Sequence, residues 1–348
     1  MKLIFALCCS IGLLTHSFAQ EDPSWWGNLK PGPYKPGFRV IREKDKTGKL
    51  FLFSLWYPAV KAGDNMTLRD YVETGIINGR EDKQVLDAAF KETLEIPSLF
   101  GVEKMSAEEY DKLLATPVRA SANAEMKKGK WPLVISDTEP VSLFVTNEWL
   151  ASNGYVVAVP ATDFPPPLND SVLYEAPTAA LEFLLHFMTQ QSFIDTANIS
   201  ALGFGGGSQA AFYLAMRTPQ IKCLVNIEGG LFMPLSKTTA SHDYLPAAFT
   251  IPLFHIVRPE IIKGESSDEF KAIASPKKYR LTNLSGTQHH DFTVYGRVVN
   301  AVMHKRGRDA DLATSMFTQV HELILQFLKT RRLDQATVRS EALKLEIL

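Results

Sequence analysis

From Pro132 onward, short and almost wholly apolar runs alternate with longer segments whose apolar residues recur at helical spacing. The runs at 133–136, 155–159, 199–204, 223–227, 253–257 and 279–284 predict strands. The segments 143–152, 171–188, 209–217 and 313–328 predict helices. The last is strongly amphipathic through Phe317, Val320, Leu323, Leu325, Phe327 and Leu328. Strands without a polar face, alternating with helices, predict the α/β class: a mostly parallel central sheet with helices on both faces. Ligands in such sheets bind outside the carboxyl ends of the strands. Upstream, 38–44 and 49–57 predict a strand pair around the polar turn Asp45-Lys46-Thr47-Gly48. Residues 61–130 break the rhythm, being charged and helix-prone at 82–94 and 107–114, with Ser106 and Glu109 spaced as a capping box. This stretch predicts a helical insertion near the mouth of the sheet, either covering the sheet edge or acting as a lid.

Composition changes this picture little. The chain has 348 residues, 45% hydrophobic and 22% charged, with a net charge of -1, which suits one large domain over 20–348. The near-neutral balance gives no basic footprint, so no nucleic-acid partner is expected. Residues 1–19 read as a secretory signal, with Lys2 as the basic region, an apolar stretch at 3–14, and Ser17-Phe18-Ala19 as a small-x-small cleavage site. The apolar stretch is too short to span a bilayer. The expectation is an exported protein, periplasmic or extracellular, starting near Gln20 and without a transmembrane segment in the mature chain. Cys8 and Cys9 leave with the signal, so Cys223 has no intrachain disulfide partner and reads as a buried core thiol. Sequons stand at Asn65, Asn169, Asn198 and Asn283.

The chemistry centres on Gly203-Phe204-Gly205-Gly206-Gly207-Ser208, where a strand pattern turns sharply into a helix pattern. A strand-to-helix turn of this kind carries G-x-S-x-G in many hydrolases, with the serine at the tip as nucleophile. Here the frame reads G-F-G-G-G and the tip is Gly205. A rival frame, Gly206 to Ala210, would put Ser208 at the tip. It would shorten the following helix to little more than two turns before Pro219 and leave the glycines without a purpose. The Gly205 frame is therefore preferred and Ser208 is kept as an alternative nucleophile. Glu228 follows the strand at 223–227, and Gly286-Thr287-Gln288-His289-His290-Asp291-Phe292 follows the last strand. Nucleophile position, acid and histidine in that order, each after a strand's carboxyl end, is the hydrolase sequence of roles. His289 is the candidate base and Glu228 the candidate acid, with Glu260 as the second choice; Asp291 is too near His289 in sequence to come first.

Several stretches together resemble the α/β-hydrolases of the dienelactone-hydrolase and platelet-activating-factor-acetylhydrolase-like group. They are Trp56-Tyr57-Pro58, Pro132 to Ser136, Leu150-Ala151-Ser152-Asn153-Gly154-Tyr155-Val156-Val157, Gly203 to Gly207, Glu228, and Gly286-Thr287 through His289 to Phe292. The resemblance implies an α/β-hydrolase fold and ester hydrolysis. It matches the acid to Glu228, a Glu in place of the usual Asp, and the base to His289. It also implies an oxyanion hole from the N–H of Gly206 and an N–H near Thr138, after the strand at 133–136. Two departures stand out. The nucleophile position is Gly205, and Asp137-Thr138-Glu139 replaces the His-Gly that relatives carry. Carboxylates there are expected to oppose a developing oxyanion.

The leading expectation is a non-catalytic protein that binds a small molecule or partner in the cleft above Gly205. The alternative is an active carboxylic-ester hydrolase using Ser208 or a water activated by His289. A metal site from His289, His290, Glu228, Asp137 or Glu139 matches no ligand spacing, and no cofactor or metal is expected. The oligomeric state is not legible.

Overall fold

The computed structural model describes residues 24–44, 48, 50–75, 81–96, 104–137, 141–161, 174–233, 246–284, 286–298 and 310–348. The signal expectation at 1–19, Thr138, Glu139 and Asn169 fall outside these residues. Eleven strands form one sheet in the order β11-β10-β9-β8-β7-β5-β6-β2-β1-β4-β3. Its centre, β6 (Val156–Pro160), β5 (Trp131–Asp137), β7 (Ile194–Phe204), β8 (Ile221–Ile227), β9 (Leu253–Ile256) and β10 (Lys278–Thr282), is entirely parallel. β1 (Lys35–Lys44) and β2 (Leu50–Ala59) form the expected hairpin, and β2 joins β6 antiparallel. This is the predicted α/β-hydrolase architecture.

The parallel strands are apolar on both sides because both sides are covered. One face packs Val134, Val157, Leu202, Val225 and Phe254 against α4 (Phe144–Ser152) and α10 (Ala310–Thr330). The other packs Leu133, Ile135, Ala158, Ala201 and Leu224 against α5 (Glu175–Thr189) and α6 (Gly207–Arg217). Pro177 is tolerated inside α5 because it lies in the first turn, where an N–H has no intrahelical acceptor to lose. After β5 the chain moves outward to β6, and after β6 it returns across the sheet to β7. The connections therefore diverge between β5 and β7, and the crevice at that switch point is where this architecture places ligands. Asp137 and Gly203 pair there.

The insertion at 61–130 is not purely helical. Besides α1 (Leu68–Val72), α2 (Lys83–Leu94) and α3 (Ala107–Leu114), it contributes β3 (Asp64–Thr67) and β4 (Pro117–Ala122), which extend the sheet beyond β1. These strands are short and carry few apolar residues, so the strand pattern was weak. The insertion is also tied in by a buried carboxylate. Glu148 on α4 accepts from Trp26 Nε1, Tyr71 OH and the Ala120 N–H, each at 2.9 Å, and Trp56 Nε1 donates to Tyr71 OH at 2.9 Å. A buried carboxylate needs several donors of this kind to offset its lost hydration. In addition, Phe90 of α2 rests on Tyr295, ring centroids 5.5 Å apart, beside the loop that carries His289. At the opposite edge β11 (Lys344–Ile347) closes the sheet antiparallel to β10. No described helix is long and apolar enough to cross a membrane.

His321 of α10 shows how fully this core is sealed. Its Nδ1–H donates to the Phe317 carbonyl at 2.7 Å, so Nε2 accepts from the Thr146 hydroxyl at 2.7 Å. Burial pushes its pKa down to about 4. The unfolded chain takes up a proton below about pH 6.5 that the folded chain refuses until about pH 4. Stability contributed by the neutral imidazole is therefore lost as pH falls through that window, at about 1.4 kcal/mol per unit. His321→Gln should flatten the acid limb of the melting temperature against pH curve between those values. An unchanged slope would show that His321 does not carry it.

Candidate functional site

β7 ends at Phe204 and α6 begins at Gly207. The turn between them has its left-handed residue at Gly205, with φ +53°, a conformation that costs a side-chain-bearing residue about 1–2 kcal/mol. The Gly205 N–H donates to the Ile227 carbonyl at 3.0 Å, which fastens the tip to β8. Three glycines press on neighbouring segments. A Cβ at Gly207 would lie 1.9 Å from the Asp137 carbonyl oxygen, one at Gly203 2.4 Å from Ser208 Cα, and one at Gly229 2.3 Å from Ser208 Cβ and Oγ. Ser208 is thus wedged beneath the turn, fully buried, and its hydroxyl has no hydrogen-bond partner among the described residues. The structure does not bring it to His289.

His289 lies over the tip. Its Nε2 is 3.4 Å from where a Gly205 Cβ would stand, and its ring packs tilted against Phe204 with centroids 4.7 Å apart. Its Nδ1 faces Glu228 Oε2 at 3.4 Å. The loop is set by Asp291, whose carboxylate accepts the Gln288 N–H at 2.6 Å, and by the Val294 N–H on the Ser142 carbonyl at 2.8 Å. Asp291 is thus a capping residue of the loop. His290 packs edge-on against His289, centroids 4.9 Å apart.

Glu228 is the strained residue of the site, with φ +56°. Strain of that kind costs roughly 1–3 kcal/mol and persists only when the surroundings over-determine it. Here they do. The Glu228 N–H donates to the Ile256 carbonyl at 2.8 Å, and Asn226 clamps Gly229 through both its N–H (3.2 Å) and its carbonyl (2.8 Å). Asn226 also bonds His255 Nδ1, and His255 Nε2 donates to Glu265 at 2.9 Å, so a buried polar chain backs the turn. The carboxylate itself is held by Arg258, through its N–H at 2.7 Å and its Nε at 2.6 Å. These are charge-assisted lengths, whereas 3.4 Å to His289 is long. Arg258, not His289, is the main partner of Glu228. The second-choice acid, Glu260, is exposed and meets Arg258 at 3.5 Å. Arg258 was missed in the sequence; its only signal is its place just past the apolar run that ends at Val257.

On the other side of β7, Asp137 is 7% exposed and bonds no described residue. Burial pushes its carboxyl up to about 7. Below about that pH the group is a neutral acid able to donate a hydrogen bond, and above it the carboxylate expected to oppose negative charge is present. The Gly206 N–H, the other expected oxyanion donor, bonds no described residue, and nothing lies within 4 Å of where its Cβ would point. Thr138 lies outside the described residues. Among the described residues no cluster of three or more His, Cys, Asp or Glu side chains is arranged to hold a metal ion.

No family model matches the chain, and no curated protein sequence matches it. Among solved structures it is similar to a ferulic acid esterase from Streptomyces cinnamoneus, with a TM-score of 0.64 and 16% identity over 91% of this chain and 98% of the other. At that identity the likeness establishes the fold.

The Glu228–Arg258 pair yields a prediction. Arg258→Met leaves a buried carboxylate without its main partner and should destabilise the protein by about 3 kcal/mol. Adding Glu228→Gln should recover part of that loss, read as non-additivity in denaturant melts. Additive losses would mean that the two side chains do not interact energetically.

Proposed function

We propose that this chain is an exported α/β-hydrolase-fold protein that binds a small molecule in the cleft above Gly205 and does not hydrolyse it. One observation carries the reading: an imidazole is aimed at the tip of the strand-to-helix turn, and the residue at that tip has no side chain. Among the described residues the base has no nucleophile to activate, because Ser208 is sealed beneath the turn. Ferulic acid ester hydrolysis is the activity of the structurally similar esterase and belongs to that protein. The orientation of His289 Nε2 also favours a second reading, in which the imidazole takes a proton directly from a water attacking an ester. That reading requires ester turnover by the wild-type chain that His289→Gln abolishes.

The test is turnover of a short-chain aryl ester at about pH 8, where the Asp137 carboxyl is ionised. Wild type should not exceed the buffer rate. Gly205→Ser restores an oxygen within reach of His289, but the acid at Asp137 stays beside the developing charge. A missing oxyanion donor alone costs roughly 10²–10³ in rate, so only a trace of activity is expected. The variant should also melt several degrees lower, because serine must adopt φ +53°. Adding Asp137→His and Thr138→Gly should give the most active protein of the set. Efficient hydrolysis by wild type would sink the non-catalytic reading.

Export rests on the pattern at 1–19. N-terminal sequencing of the protein from its native cell should find a chain beginning near Gln20, outside the cytoplasm. A full-length cytoplasmic chain would contradict it.

A further inference from the structure

The cleft at the start of α6 holds a combination the proposed function does not yet use. α6 has eleven residues, and its N-cap, Gly206, supplies no side-chain cap. The N–H groups of Gly206 and Gly207 donate to no described residue, so they add to the partial positive charge of the helix end. Beside them stands Asp137, more than nine-tenths buried, with Oδ2 3.3 Å from where a Gly207 Cβ would be. Its carboxyl has no hydrogen bond or ion pair to any described residue. A buried polar group without a partner is uncommon enough to need a reason. Across the tip is His289 Nε2.

We propose that this cleft binds the carboxylate of a small organic acid. One carboxylate oxygen accepts from the Gly206 and Gly207 N–H groups and from the Asp137 hydroxyl. The other lies against His289 Nε2, the ring nitrogen turned away from Glu228. The inference rests on the non-catalytic reading and names its ligand class.

Charge supports an acid over an ester. Glu228 is balanced by Arg258, and burial keeps Asp137 neutral below about pH 7, so the fixed groups set little negative charge against an anion. An ester offers no charge to the helix end. Among the described residues, β7 meets Asp137 with Gly203 and α6 meets it with Gly207, neither of them ionisable. α5, on the same face, carries Glu175 and Glu182, both directed to Arg217, and His186, bonded to Gln190. His289, Glu228 and Arg258 follow strands on the other side of β7. Above about pH 7 Asp137 ionises and would repel the ligand, so binding must take up a proton there.

The experiment is calorimetric titration of the full mature chain with benzoate, and with methyl benzoate as the neutral isostere, at about pH 6 and about pH 8.5, values chosen to bracket the Asp137 transition. Benzoate should bind at the lower pH at least roughly tenfold more tightly than the ester, and weaken at least roughly tenfold at the higher pH. Asp137→Asn keeps a donor that does not titrate and should bind with a smaller pH dependence. Asp137→Leu removes the donor and should lose at least tenfold, with melting curves showing the variant folded. Equal affinity for acid and ester, no benzoate binding at the lower pH, or unaltered binding by folded Asp137→Leu would each overturn the inference. Ester turnover by wild type would instead overturn the non-catalytic reading, whatever benzoate does.

Discussion

The site is built on one steric constraint: the start of α6 meets the ends of β5 and β7 and the turn after β8 with almost no space between them. Gly207 lies so close to the Asp137 carbonyl that a Cβ would stand 1.9 Å away, and Gly229 lies against Ser208 as tightly. Only hydrogen atoms fit at these points. α6 can therefore start directly at the point where the sheet's connections diverge. His289 and Glu228 then need only short turns from their own strands to reach the same place. A bulkier residue at any of these glycines would push α6 off the sheet and separate the groups that now meet.

Within that frame, strain is distributed unevenly. Left-handed backbone at the strand-to-helix tip would tax a serine, but Gly205 accepts φ +53° at little cost. The turn after β8 keeps a left-handed Glu228 and supports it with Asn226, His255, Glu265 and Arg258. The acid turn thus remains heavily braced while the tip is relaxed. Bracing of this kind makes sense if the position of Glu228 still matters, and Arg258 shows how: the carboxylate is neutralised in place more than it is shared with His289.

Much of this was legible in the sequence for a physical reason. Strands buried on both faces read as apolar runs, and helices against them keep a 3.6-residue period, so β5 to β10 and α4, α5, α6 and α10 stand out. Glycine spacing gave the turn, since Gly203, Gly205 and Gly207 each answer a distinct backbone demand. What escaped was whatever lacks a periodic signal. β3, β4 and β11 are short strands at the margins of the sheet with polar faces, and their pairing is decided by what lies beside them. Arg258 has no motif; its meaning appears only when β9 brings it to Glu228.

Asp137 shows a different limit. From the letter alone, an aspartate beside an anion site reads as negative charge and as opposition. Charge, however, belongs to an environment and not to a residue type. Removing the carboxyl from water without giving it donors disfavours the ionised form, and the same group turns from acceptor to donor. Below about pH 7, burial therefore reverses the contribution by keeping a proton on the carboxyl. The same reasoning separates Asp137 from Glu148, which is equally buried yet surrounded by Trp26, Tyr71 and the Ala120 N–H. Glu148 spends its hydrogen-bonding capacity inside the fold, where it ties α4 to the insertion. Asp137 has that capacity left over, at the carboxyl end of a central strand, where a ligand is the group best placed to use it.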